Sequence, residues 1–169
     1  IIMIHNFPPG LIMVLGALLL PFLGQRLSAW GALVLSSLSL FAFWTTPDLH
    51  AVTLNLFGQD LNIVRIDRWS WIFGLVFHLA AITASIYALH VKDTKQHVAG
   101  MIYAGSAIAA CCAGDLITLF VCWELTAVSS VFLIWANGTE TAYRSGMRYL
   151  IIQVTSGVLL LSGAIIHFQ

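Results

Sequence analysis

Charged side chains are scarce in this sequence. Asp, Glu, Lys and Arg together make up 8% of its 169 residues, against roughly 25% in an ordinary soluble domain. With 60% of the residues hydrophobic, that shortage excludes a water-solvated globular surface and leaves a membrane protein. Formal net charge is zero and no basic block occurs, so nothing points to a nucleic-acid partner. Cysteine is also sparse: Cys111, Cys112 and Cys122 all lie inside apolar runs, without a CxxC pair or neighbouring metal ligands. They read as small packing residues, and no metal site is expected. The sequence holds no G-x-S-x-G elbow, which argues against an intramembrane hydrolase. A cleavable signal peptide is not visible, and the opening IIMIHN has no initiating Met, so further residues are expected before it.

What is present is a series of long apolar stretches. Six can be counted, at about 7–23, 27–44, 69–89, 98–113, 116–136 and 143–168. They predict an all-α membrane protein with six transmembrane helices in one domain spanning 1–169. The first is weakened near its end by Pro21. The fourth is short and rich in small residues (Gly100, Gly105, Ser106, Ala107, Ala109, Ala110), which suits close packing inside a bundle. Gly114-Asp115 joins it to the fifth in a turn so tight that the two must be antiparallel neighbours, with Asp115 as the N-cap of the fifth and Asp67 as that of the third. Between the second and third stretches, VTLNLFGQDLNIVRI alternates apolar and polar residues around Gly58-Gln59-Asp60. This predicts a β-hairpin over about 51–66, outside the lipid and covering one face of the bundle. Basic residues set the orientation. Arg26, Lys92, Lys95, Arg144 and Arg148 fall on one side and only Arg65 and Arg68 on the other, so the hairpin and the N-terminus are expected to be extracytoplasmic.

Glu124 is the only charge in LITLFVCWELTAVSSVFLIWA, residues 116–136. At a rise of about 1.5 Å per residue it lies roughly 12 Å beyond Leu116, near mid-bilayer. A charge there costs on the order of 2–3 kcal/mol, so an intramembrane carboxylate implies a function. Helical spacing puts it on a stripe with Val121, Val128 and Val131. The hydroxyls of Thr126, Ser129 and Ser130 stand nearby, able to bond a carboxyl, a carbonyl or a water. A Glu whose cationic partner can approach and withdraw is a proton-loading switch. The candidate charge and pathway partners are Arg148, early in the sixth segment, and His78, at similar depth in the third, with Thr126 and Ser129. No Lys stands within the six segments. A haem is not expected, since His78 has no clear second axial His at equal depth, and no other cofactor is implied.

The stretch AGDLITLFVCWELTAVSSVFLIW, with Trp123-Glu124 at mid-helix, resembles the fifth helix of the antiporter-like subunits shared by respiratory complex I and Mrp-type multisubunit cation/proton antiporters. DRWSWIFGLVF, YALHVKDTKQHVAGMIYAGS and SGMRYLIIQVTSGVLLLSG resemble the flanking helices, most closely those of membrane-bound hydrogenase-type complexes and of the Mrp D subunit. The resemblance covers the chain from about Asp67 onward, and the earlier helices and hairpin fit the N-terminal part of such a protein. It implies that Glu124 is a proton-transfer carboxylate pairing with a Lys on a broken helix, here supplied from outside this chain. It also implies a basic residue at the Arg148 position. The expected protein is thus a subunit, or split or truncated half, of a proton- or sodium-translocating complex. Its partners would be other membrane subunits and the lipid bilayer, in the cell inner membrane as a multi-pass protein. No bond chemistry is expected in this chain, although the complex could be an ion-pumping NADH dehydrogenase- or hydrogenase-type oxidoreductase. The alternative is a non-transporting scaffold subunit of such a complex.

Overall fold

The computed structural model describes residues 8–46, 51–56 and 59–167. Phe7 and Phe168, at the outer ends of the first and last apolar stretches, and Gly58 in the hairpin turn lie outside the described residues. The described residues are mostly helical, with one small sheet. Its elements are α1 (Leu11–Ala17), α2 (Gln25–Trp44), β1 (Ala51–Leu56), β2 (Gln59–Arg65), α3 (Arg68–Tyr87), α4 (Thr94–Cys111), α5 (Leu116–Trp135) and α6 (Glu140–His167). Among the described residues, four spans are long and apolar enough to cross a membrane: Leu27–Trp44, Arg68–His90, Leu116–Trp135 and Glu140–His167. In such spans every backbone polar group must be satisfied inside the segment, and a helix does this.

The first apolar stretch differs from the single helix expected of it. α1 ends at Ala17, and a separate 3-10 turn, Leu20–Leu23, follows. Pro21 is the cause. It has no N–H to donate, and its ring clashes with the carbonyl four residues earlier, which belongs to Ala17.

Helices α1 to α4 share a core of Met13, Ala17, Leu20, Ala32, Ala81, Met101 and Ile108. Gly10 opens α1 with a φ of 85° and rests against the backbone of Gly105 on α4. Only glycine meets both demands, a left-handed φ and backbone-to-backbone approach. Buried and half-buried hydroxyls tie the helices further: Ser36 Oγ lies 3.1 Å from Ser85 Oγ, linking α2 to α3, and Ser28 Oγ lies 3.3 Å from Thr94 Oγ1, linking α2 to α4.

Strands β1 and β2 pair antiparallel from Ala51 opposite Arg65 to Leu56 opposite Gln59, with an irregularity at Val52/Thr53. The hairpin caps one end of the bundle, burying Val64 and Ile66 with Phe43 of α2 and Cys112 after α4. It also grips the α4–α5 turn. The Arg65 N–H donates to the Cys112 carbonyl (2.8 Å) and the Gly114 N–H to the Asn62 carbonyl (3.0 Å). Helix α5 then packs on α4, and α6 on α5.

Candidate functional site: a carboxylate between two helices

Asp115 starts the helix that carries the carboxylate. Its Oδ1 accepts from the Thr118 N–H and its Oδ2 from the Thr118 hydroxyl, both at 2.8 Å, satisfying one of the orphan donors of the first turn. α5 runs to Trp135, and a short turn containing Gly138 leads into α6, whose first turn is capped by Thr139 Oγ1 accepting from the Ala142 N–H at 3.1 Å. The two helices run antiparallel in a fixed register. The Trp135 indole lies over Gly146, Ser130 Oγ lies 3.0 Å from the Tyr149 hydroxyl, and Glu124 meets Gly157. On the α6 side the seam is made of the buried small residues Ala142, Gly146, Gly157 and Ala164, a spacing that keeps one face of a helix flat enough for close approach.

Glu124 therefore points at α6. Its Oε1 is fully buried and has no hydrogen-bond partner among the described residues. Arg65 pairs with Asp67 (3.8 Å) and Arg144 with Glu140 (3.0 Å), all of them exposed groups away from Glu124. A polar oxygen buried without a partner normally costs free energy that the fold does not recover. That makes Glu124 the candidate site of this bundle.

The other candidates are placed elsewhere. Thr126 Oγ1 lies 2.9 Å from Ser106 Oγ on α4 and 2.9 Å from the Cys122 carbonyl. Ser129 donates to the Thr126 carbonyl at 2.9 Å. Thr126 thus links α5 to α4 and Ser129 bonds its own helix, while Ser129 also lines a cleft of about 870 Å³ with Val98, Ile102, Val128 and Phe132. His78 is buried in the α2–α3 seam. Its Nδ1–H donates to the Gly74 carbonyl (2.7 Å), which fixes the tautomer, so Nε2 accepts from the Ser39 hydroxyl (3.0 Å). The ring stacks on Phe43 with centroids 4.9 Å apart, and no hydrogen bond joins it to Glu124. Arg148 is exposed. It precedes Gly157 by nine positions, about 2.5 helical turns, and so lies on the opposite face of α6. It forms no ion pair with Glu124. Gly157 is a neighbour that residue chemistry alone does not reveal. Its mark in the sequence is the period of small residues in α6, which carries no polar atom to draw attention to it.

Residues 113–169, the region of α5 and α6, match the family model described as NADH:quinone oxidoreductase/Mrp antiporter, TM. A protein of Staphylococcus epidermidis that carries the name antiporter subunit mnhA2 is 32% identical over 118 residues, 64% of this chain. Its namesake in Staphylococcus aureus is 29% identical over the same length. A Rhizobium meliloti protein, named for the A/B subunit of a K(+)/H(+) antiporter, is 29% identical over 111 residues, 61% of this chain. The names of these relatives are those of A-type subunits, whereas the resemblance carried by the motifs leans to the D type. The chain spans only 15% of the length of the mnhA2 relatives and 11% of the A/B relative. In these matches, which cover part of its length, the chain is similar to the antiporter-like membrane subunits of the Mrp antiporter and complex I family.

Proposed function

We propose that this chain is part of a cation/proton-translocating membrane complex in which Glu124 takes up and releases a proton. Its cationic partner is a Lys on a broken helix outside these 169 residues. The carrying observation is the orphaned Oε1 of Glu124, buried at mid-helix against α6. A carboxyl so placed exchanges its proton or its partner as the surroundings change, and that exchange is the elementary step of proton transfer through a membrane. The match over residues 113–169 and the antiporter names of the relatives support the same reading. The orientation follows from the basic residues: hairpin and N-terminus extracytoplasmic, in the cell inner membrane. Neither Arg148 nor His78 is given a direct contact with Glu124 in this reading.

The test is cation-dependent proton flux in vesicles carrying the assembled complex. Glu124→Gln keeps the shape and cannot ionise. It is expected to leave assembly intact and to lower flux at least tenfold, while Glu124→Asp retains part of the activity. A structural scaffold makes the opposite forecast, because an amide replaces a neutral hydrogen-bonded acid well. Full flux with Gln at this position would remove the transport role.

A further inference from the structure

Helix α6 has three glycines, and their surroundings differ. A β-carbon at Gly163 would have nothing within 4 Å, and one at Gly146 would press on the Trp135 indole. At Gly157 it would overlap Glu124 Oε1, and come to 2.6 Å from the Glu124 Cδ and 3.1 Å from its Oε2. The three nearest atoms are thus one carboxyl group, and Gly157 is itself buried. The volume that any other residue would fill with its side chain is filled here by the end of Glu124. The backbone of α6 offers no bond in exchange, since mid-helix amides are spent on the carbonyls four residues earlier. Shape alone holds the carboxyl there.

We infer that Gly157 is a positioning residue for Glu124: the gap left by its missing side chain is the seat in which the carboxyl rests against α6, and this fixes where the proton is presented. The inference rests on the reading of Glu124 as the proton-transfer group. A methyl at 157 takes the seat and drives the carboxyl to another rotamer. Shortening the acid by one methylene makes room again, so the two changes are expected to compensate each other.

Gly157→Ala in the assembled complex is expected to lower flux at least tenfold and to shift its pH profile, while Gly163→Ala on the same helix leaves both unchanged. Adding Glu124→Asp to Gly157→Ala is expected to raise flux above that of Gly157→Ala alone, which independent defects cannot do. If Gly157→Ala prevents assembly, the double variant is expected to restore it. Wild-type flux and pH profile in Gly157→Ala, or no recovery by Asp in either flux or assembly, would overturn the seat. Glu124→Gln separates the two ideas. If it abolishes flux while Gly157→Ala does not alter it, only the positioning role falls. If it is fully active, the role of Glu124 falls with it.

Discussion

At the scale of single residues, Glu124 Oε1 is set apart as the one buried side-chain oxygen without a hydrogen-bond partner among the described residues. Ser36, Ser39, His78, Ser106 and Thr126 are all buried or half-buried and all bonded, so each is explained by packing. Asp67 is explained by capping. Its Oδ1 accepts from the Ser70 N–H at 2.8 Å, and this bond, with smaller help from the Ser70 side chain and Arg65, holds its carboxyl below the usual carboxylate range. The folded form therefore binds the proton less readily than the unfolded one. The stabilisation is fully present above the ordinary Asp value of about 3.9 and is lost as pH falls through the lowered one. Asp67→Asn, which keeps the acceptor without the charge, is expected to flatten the acid limb of the thermal midpoint of detergent-purified protein while leaving its neutral value close to wild type. An unchanged acid limb would remove Asp67 from the acid response.

At the scale of elements, caps and breakers set the ends of helices more than hydrophobicity does. α4 begins at Thr94, ahead of its apolar run, because the Asp93 side chain accepts from the Lys95 N–H. α6 begins at Glu140 for a similar reason, through Thr139. Pro21 divides the first stretch in two. Between elements, small residues decide how near two helices come. A β-carbon at Gly105 would stand 2.7 Å from the Gly10 carbonyl oxygen and 2.9 Å from Val14 Cγ2, so backbone would have to move. Gly105→Leu is expected to cost roughly 1–3 kcal/mol of packing strain, read as a lower thermal midpoint and reduced assembly. Gly100→Leu, at a site with nothing within 4 Å, is expected to change little. Equal behaviour of the two would mean that α1 and α4 do not meet at Gly105.

At the scale of the whole molecule, the packing is uneven. α1 to α4 and the hairpin enclose two cores, whereas α6 lies against α5 and carries Ile151, Ile152, Leu159 and Ile166 well exposed. Such a surface belongs in lipid or against other helices. The proposed orientation is checked by cysteine accessibility in intact cells, in a background with Cys111, Cys112 and Cys122 replaced. Gln59→Cys is expected to react with an impermeant reagent from outside and Thr94→Cys only after permeabilisation. The reverse pattern would invert the topology.

The membrane character, the helical and hairpin elements and the candidacy of Glu124 are legible in the residues. Each depends on a local property: the length of an apolar run, a period of two around a glycine turn, one charge where none is tolerated. Who stands next to the carboxylate is not a local property. His78 has the right depth but is spent on Gly74 and Ser39, and Arg148 has the right charge but the wrong face of α6. Thr126 and Ser129 have the right chemistry but turn toward α4 and their own backbone. The register of α5 on α6 settled the neighbour as Gly157. That register comes from the turn at 136–139 and from small residues spread from Ala142 to Ala164, so only the packed structure could decide it.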